Sequence, residues 1–199
     1  MPLVPRSLSD EVLQLRAISP TYLTEALAAV RESHRELENW LWWAQEPFDE
    51  KRYGEFIDRH AENFIRDREW RYFVFEQTSG ILVGGASIKR SEFDGVKSAN
   101  VGYWIRSTKT GLGFATRVVR ILIEAVFEHM SDVVLIEIGM DVANIASARI
   151  PSKMGVTCQG EFAKPIRATA HTGRGLVWTL SRVQLATQLK ERDDHASDG

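Results

Sequence analysis

A short segment with two glycines constrains the fold of this chain more than any other feature. Residues 110–115 have the sequence Thr-Gly-Leu-Gly-Phe-Ala, after a β-type stretch and before a helix predicted to end at His129. Glycines let the backbone turn tightly and approach a ligand closely. The first amides of a helix lack partners within the helix and lie at its positive end, so a phosphate is their natural ligand. Taken alone, such a segment is more often a structural turn.

Two common nucleotide-binding patterns do not fit this segment. The dinucleotide fingerprint requires a third glycine where Thr116 stands, and it follows a strand of a βαβ unit. The P-loop requires Gly-Lys followed by Ser or Thr after a longer gap, which the segment lacks. The sequence therefore argues against a dinucleotide or nucleoside triphosphate site.

The order of elements around the segment predicts an α/β chain of the α+β type. Three short strands separated by turn residues are typical of an antiparallel meander. The nearly continuous apolar run at residues 133–140 predicts a strand buried on both faces. The predicted strands lie at 12–18, 71–77, 81–88, 98–105 and 133–140, with two more between 156 and 181, and the predicted helices at 21–41, 49–67, 115–129 and 145–154.

Composition excludes several classes of protein. The chain has 199 residues, 44% of them apolar, which suffices for the core of one domain and excludes general disorder. A net charge of −2 argues against a general nucleic-acid partner. A signal peptide and a membrane span are not expected, so we expect a cytoplasmic protein with no membrane partner. The single cysteine, Cys158, excludes an internal disulfide, and we expect no metal site.

Two motifs on the predicted elements resemble those of the GNAT superfamily, the acetyl-coenzyme A dependent N-acetyltransferases. Residues 102–105, Gly-Tyr-Trp-Ile, followed by the glycine segment, look like the pyrophosphate loop of that family. Residues 144–155 are similar to its second hallmark, a helix with an Asn start and a Lys-aliphatic-Gly end. Residues 13–16, 41–47 and 173–180 resemble the branch of the ribosomal-protein-alanine acetyltransferases.

The resemblance implies a fold and its boundaries. We expect a GNAT domain over residues 12–183, with a mixed, mostly antiparallel sheet of six to seven strands flanked by helices. Residues 1–11 are expected to be a flexible N-terminus, and residues 184–199 a C-terminal tail that is disordered at its end. The chain is expected to be a monomer or a homodimer.

The resemblance also implies acetyl-CoA as the co-substrate. Thr110 stands where the family usually has Gln or Arg, which should weaken binding without abolishing it, because most phosphate contacts there are backbone amides. The backbone of Ile105 would pair with the pantetheine arm like an added strand. The predicted coenzyme-binding residues are Ile105, Gly111, Leu112, Gly113, Ala115, Thr116, Asn144 and Ser147.

Catalysis of acetyl transfer is expected to involve the start of the short helix. Many members of the family place a Tyr on this helix to protonate the leaving thiolate, but Pro151 stands there, and Ser147 matches the serine of the ribosomal-protein branch. Asn144 would hold the coenzyme arm or a water molecule, although Asn144 and Ser147 are also typical helix caps. Pro151 lacks the amide that would bond the carbonyl of residue 147, which frees that acceptor or simply kinks the helix.

The general base is less defined than the acid. Relatives often carry a Glu where Asn100 stands, and Asn cannot accept a proton. Glu137 lies in the apolar run, where a carboxylate is either a base with a raised pKa or part of a structural ion pair. His171 is another candidate, in a predicted loop.

The acceptor remains open between a protein N-terminal α-amine and a small-molecule amine. An α-amine titrates at about 7.7–8.0 and a lysine near 10.4, so a site with a doubtful base favours α-amines. The predicted substrate-binding residues are Trp40, Trp42, Trp43 and Tyr103, the tryptophans being alternatively a packing cluster. A non-catalytic coenzyme A binding or sensing module is the alternative function, motivated by Thr110, Asn100 and Pro151.

Overall fold

The computed structural model describes residues 2–45 and 48–188, and within them eight strands form one mixed sheet. Its order is β1-β2-β3-β4-β5-β6-β8-β7, and every neighbouring pair is antiparallel except β5 and β6. The strands are β1 (Ser7–Ser9), β2 (Leu13–Ala17), β3 (Trp70–Glu76), β4 (Leu82–Phe93), β5 (Val96–Ile105), β6 (Leu135–Asp141), β7 (Thr157–Ala163) and β8 (Arg174–Ser181).

Four of the helical segments in the described residues cover the two faces of the sheet. They are α1 (Leu23–Leu37), α2 (Glu50–Ile65), α3 (Phe114–His129) and α4 (Ile145–Lys153). Alternate residues of a strand point to opposite faces. In β3, Val74 packs into the core that contains α3, while Phe73 and Phe75 pack into the core that contains α1 and α2. The two helix pairs therefore lie on opposite faces, as a mixed fold with flanking helices requires.

The predicted meander β3–β4–β5 is present, and the turn between β4 and β5 contains residues that favour a tight turn. Asp94 and Gly95 have φ of +51° and +73°, the left-handed pair that a tight hairpin turn favours. Gly85 in β4 faces the indole of Trp104, and a Cβ built on Gly85 would lie 2.4 Å from its Nε1 atom. A larger residue at Gly85 would therefore displace the indole.

The N-terminal segment differs from the expected flexible end at residues 1–11. Strand β1 pairs with β2, with Leu8 opposite Leu15. Val4 is fully buried, and the Tyr72 hydroxyl donates to the Pro5 carbonyl over 2.9 Å. The ordered structure thus begins before residue 12, and β1 raises the strand count above the predicted six to seven. A strand of three residues is too short to show a periodic pattern.

The C-terminal end extends past the predicted boundary at residue 183. Residues 182–188 are helical. The remainder of the predicted tail, residues 189–199, lies outside the described residues, as do residues 46 and 47 of the branch motif.

Strands β5 and β6 separate after a short stretch of parallel pairing. Their register covers only the pairs from Ser98–Leu135 to Asn100–Glu137. Beyond that, β5 follows β4 and β6 follows β8, so a cleft opens between them. Strand β6 is therefore not buried on both faces, and Gly139 is exposed. An apolar run in a sequence does not show whether one face of a strand lines a cleft.

Candidate active site

The cleft between the ends of β5 and β6 has a volume of about 620 Å³. The glycine loop and the start of α3 form one wall, and α4 forms another. Among the predicted site residues, those that line it are Trp40, Tyr103, Ile105, Gly111, Gly113, Ala115, Thr116, Asn144 and Ser147.

The glycine loop presents the free end of a helix to the cleft. Gly111 and Gly113 have φ of +78° and +79°, a conformation that strains residues with a side chain. Gly113 is the N-cap of the 16-residue helix α3, and no side chain caps its first turn. The first amides of α3 are therefore available to an anion, which a phosphate site requires.

Helix α1 holds the chain immediately before the glycine loop. Residues Ser107–Lys109 form a 3-10 turn, and the Ser107 amide donates to Ser33 Oγ over 3.0 Å. Arg106 pairs with Glu32, which also accepts from the Thr108 hydroxyl at 2.6 Å. The hydrogen bond from Arg106, with that from Thr108, lowers the pKa of Glu32 to about 2. The carboxylate of Glu32 is thus a fixed anchor for the loop.

Thr110 and Leu112 are the two residues of the glycine loop before α3 that carry side chains, and each side chain has a different environment. The Thr110 hydroxyl donates to the Ser107 carbonyl over 2.9 Å, so it stabilises the turn. Leu112 is 58% exposed and is not among the residues that line the cleft. Contact of Leu112 with a ligand in the cleft would therefore involve its backbone.

The start of α4 places two polar residues in the cleft. Asn144 is the N-cap, and its Oδ1 accepts from the Ser147 amide over 3.1 Å. Asn144 therefore caps α4, one of the two roles considered for it, and it also lines the cleft. The Ser147 hydroxyl lies in the first turn, 3.0 Å from the hydroxyl of Tyr103.

Tyr103 also contacts the backbone of α4. Its hydroxyl donates to the Ser147 carbonyl over 3.3 Å. This carbonyl lacks the usual helical donor because Pro151 stands four residues later, inside α4. Burial raises the pKa of Tyr103, and the hydrogen bond with Ser147 opposes that shift. The sequence predicted the free carbonyl but not its partner.

Glu137 does not reach the cleft, which corrects its prediction as a catalytic residue. It lies opposite Asn100, where β5 and β6 are still paired. Its carboxylate accepts from Ser91 Oγ over 2.6 Å and also from Ser98 Oγ. Serine hydroxyls thus bond to Glu137, in place of the ion pair that was the alternative to a catalytic base, and Glu137 is not among the residues that line the cleft.

His171 lines the cleft, but both ring nitrogens are engaged. Nδ1 accepts from the Arg167 amide over 3.2 Å, which leaves Nε2 to donate to the Trp40 carbonyl over 3.2 Å. The neighbouring Ala170 amide donates to Asn39 over 3.1 Å. His171 therefore holds the β7–β8 loop against the segment that follows α1.

Asp141 and Lys164 are cleft residues that the sequence did not indicate. Asp141 is 2% exposed, and it accepts from the Thr172 amide and hydroxyl over 3.0 Å and 2.9 Å. Burial would raise the pKa of Asp141, but its hydrogen bonds lower it overall. Burial lowers the pKa of Lys164, and the charge of Asp141 opposes that shift. These residues lie in segments far apart in the chain, and neither belongs to a recognisable motif.

The tryptophan cluster is divided between two cavities. Trp40 lines the main cleft, while Trp42 and Trp43 line a smaller cavity of about 180 Å³. Trp43 stacks on Tyr53 and Phe56, with ring centroids 5.5 Å and 6.1 Å apart. The two cavities are adjacent, because the residues lining both are Leu41, Gly102, Tyr103 and Trp104. Trp43 therefore both packs against neighbouring rings and lines the smaller cavity.

Comparisons with known proteins agree with this geometry. Residues 13–157 match the family described as "Acetyltransferase (GNAT) domain". A Bacillus subtilis (strain 168) protein named as a ribosomal N-acetyltransferase, YdaF, is 25% identical over 157 residues, covering 76% of this chain and 81% of that protein.

Solved structures share the fold at lower identity. The ribosomal L7/L12 α-N-protein acetyltransferase RimL, solved with coenzyme A, is 18% identical with a TM-score of 0.77, over 91% of this chain and 98% of that one. The microcin C7 self-immunity acetyltransferase MccE, solved with acetyl-CoA and AMP, is 16% identical with a TM-score of 0.78, over 90% and 98%. No helix in the described part of the chain is long and apolar enough to cross a membrane.

Proposed function

The chain belongs to the GNAT acetyltransferase family, whose co-substrate is acetyl-CoA, and we propose that it acetylates the α-amine of a protein or peptide N-terminus. The observation that carries this proposal is the position of Ser147 in the same cleft as the uncapped start of α3. A site for an anion and a hydroxyl suited to the reacting end thus share one cavity. The relative named as a ribosomal N-acetyltransferase supports a protein acceptor.

The residues of the cleft fit a coenzyme with a pyrophosphate and an extended arm. Backbone amides around Gly111 and Gly113 would hold the pyrophosphate, with Ala115 and Thr116 in the first turn of α3. The edge of β5 near Ile105 faces the cleft because β6 has separated from it, so an extended arm can pair there like an added strand. Lys153 also lines the cleft and supplies a positive charge for a phosphate.

The smaller cavity is suited to the first side chain of the acceptor. Its volume of about 180 Å³ accommodates one side chain and excludes a folded segment. Trp42, Trp43 and Phe56 line it with aromatic rings, which suit an apolar or aromatic group. Since this cavity adjoins the cleft at Tyr103, an acceptor bound there would bring its α-amine toward Ser147.

Neither of the two bases predicted from the sequence is free in the cleft, which favours an α-amine over a lysine. Glu137 is outside the cleft, and His171 uses both ring nitrogens. An α-amine, with a pKa of about 7.7–8.0, is partly neutral at physiological pH, whereas a lysine at about 10.4 is not. Water can take the single proton that such an amine releases.

Thiol release from acetyl-CoA tests the proposal. The acceptor panel contains peptides with N-terminal Ala, Ser or Phe, the same peptides with a blocked N-terminus, and small aromatic amines. We expect release with the free peptides and none with the blocked ones. Tight acetyl-CoA binding without turnover on any amine would instead indicate the non-catalytic coenzyme A binding or sensing module.

A second candidate acceptor is a small aromatic amine. The aromatic rings around the smaller cavity favour it, because they would hold a planar compound as well as a side chain. Faster thiol release with the small amines than with the peptides would select this candidate.

A further inference from the structure

We propose that Tyr103 is a positioning residue of the transfer step: its phenol holds the Ser147 hydroxyl and replaces the proton that Ser147 gives to the departing sulfur. This inference rests on the proposed function, because it concerns acetyl transfer in the same cleft. It assigns Tyr103 a role different from substrate binding, which is the role that the sequence predicted for it.

The first observation is the geometry of the two hydroxyls. The Tyr103 hydroxyl lies 3.0 Å from Ser147 Oγ, within hydrogen-bond range, and both residues line the cleft. Either oxygen can be the donor. When the phenol donates to Ser147 Oγ, the proton of Ser147 itself is free to point into the cleft.

The second observation is the carbonyl that Pro151 leaves without a helical donor. The Ser147 carbonyl would normally accept from the amide of residue 151, and proline has none. The Tyr103 hydroxyl approaches this carbonyl at 3.3 Å. The phenol has one proton, which it shares between this carbonyl and Ser147 Oγ, and it stays beside Ser147 Oγ because both acceptors belong to one residue.

The protonation state of Tyr103 suits a donor. Burial raises the pKa of Tyr103 above its ordinary value of 10.0, and the bond with Ser147 only partly opposes this. The phenol therefore carries its proton at neutral pH. A serine that loses its proton to sulfur needs an immediate source of another, and the phenol is within reach.

The step balances in electrons and protons. The amine nitrogen uses its lone pair to form the bond to the thioester carbon, and the C–S bond breaks with its electron pair going to sulfur. Sulfur takes the hydroxyl proton of Ser147, and Ser147 takes the phenolic proton of Tyr103. The amine releases its surplus proton to water, and water returns a proton to the phenolate.

The test compares Tyr103→Phe, Ser147→Ala and the double variant in a single turnover, measured by rapid quench at saturating acetyl-CoA with the best acceptor of the panel. We expect Tyr103→Phe to lower the rate constant about tenfold and Ser147→Ala about thirtyfold. These losses are smaller than the roughly 10²–10⁴-fold typical of acid–base catalysis, because a thiolate with a pKa of about 8.5 leaves with little help from an acid. The double variant should be no slower than Ser147→Ala alone, because the phenol acts only through Ser147. The dissociation constant of coenzyme A should change less than twofold.

A matched control removes a tyrosine hydroxyl away from both cavities. Tyr22 lines neither the cleft nor the smaller cavity, and Tyr22→Phe keeps the ring that packs on Phe73 and Phe75, so we expect its single-turnover rate to equal that of the wild type. The ratio of the rates in H₂O and D₂O should also be larger for the wild type than for Tyr103→Phe. A structural anchor would not change that ratio.

The outcomes separate this proposal from the proposed function. If the wild type transfers no acetyl group to any amine, the proposed function fails. If the wild type is active and Tyr103→Phe is equally fast, or if the losses of the two single variants multiply in the double variant, the role of Tyr103 is overturned.

Discussion

The proposed coenzyme side, in the cleft, and the proposed acceptor side, in the smaller cavity beside it, are built from different parts of the chain. The coenzyme side consists of backbone: two glycines in the left-handed region, an uncapped helix start and a strand edge. The acceptor side consists of side chains, with Trp43 stacked on Tyr53 and Phe56. Backbone geometry depends on a few glycines in order, whereas a side-chain cavity depends on residues from many segments.

Because of this difference, the coenzyme side is general and can be identified from a short motif, whereas the shape of the acceptor side is particular to this chain. Amides bind a pyrophosphate whatever the neighbouring side chains are, so a short motif is enough to identify that side. The shape of the acceptor side depends on rings from α2, β5 and the segment after α1. We therefore expect variants on the two sides to affect different ligands.

The largest expected effect is that of Gly113→Val on the coenzyme side. A branched residue at φ of +79° costs about 1–3 kcal/mol and displaces the amides at the start of α3. We expect the affinity for coenzyme A, measured by isothermal titration calorimetry, to fall at least a hundredfold.

Gly80→Val is the matched control for Gly113→Val. Gly80 has φ of +67° and open space around it, in the turn between β3 and β4. It should lose a similar amount of stability in urea denaturation while its affinity for coenzyme A stays within twofold of the wild type. Equal affinities in the two variants would remove the glycine loop from the coenzyme site.

An intermediate effect is expected for Trp43→Ala on the acceptor side. Loss of the ring should raise the acceptor KM about tenfold, a cost of about 1.4 kcal/mol, while coenzyme A affinity stays within twofold. Steady-state kinetics with the best peptide, alongside calorimetry with coenzyme A, measures both values. Phe162→Ala, an exposed aromatic residue on β7, is the control and should change neither. A weaker affinity for coenzyme A in Trp43→Ala would contradict the division into two sides.

The smallest effect is expected for Glu32→Gln, because the side chain of Glu32 only supports the loop on the coenzyme side. The folded-state pKa of Glu32 is about 2, below its ordinary value of 4.5, because Arg106 and Thr108 bond to it. Because the pKa is lower in the folded state, the ionised carboxylate of Glu32 stabilises the fold. This contribution is complete above about pH 4.5 and is lost as the pH falls toward 2.

Urea denaturation at pH 7 and at pH 3 measures this contribution. Glu32 is partly exposed, so we expect a loss of less than about 1 kcal/mol in Glu32→Gln at pH 7 and a smaller difference from the wild type at pH 3. Glu62→Gln, which removes a more exposed carboxylate near Arg66, should show a smaller change with pH. A difference for Glu32→Gln that grows toward pH 3 would contradict the lowered pKa.

The sequence predicted the parts of the fold that rest on local patterns. The meander, the helix after the glycine segment and the short helix with Asn144 as its cap all follow from periodicity, turn residues and capping. Strand β1 was missed because three residues show no period. The motifs identified the family, and the match over residues 13–157 confirms it.

Side-chain partners across long separations could not be predicted. The apolar run around Glu137 predicts a base or an ion pair, and it does not reveal Ser91 and Ser98 beside the carboxylate. The contact between Tyr103 and Ser147 joins residues 44 positions apart on different elements. Such contacts depend on how the elements pack, and packing leaves no local signal.

The most direct test of the proposed acetylation uses one peptide with a free α-amine and an internal lysine. The wild-type protein is incubated with this peptide and acetyl-CoA, and tandem mass spectrometry locates the added acetyl group. We predict one acetyl group, on the α-amine. Acetylation of the lysine alone, or an unmodified peptide although calorimetry shows that coenzyme A binds, would contradict the account.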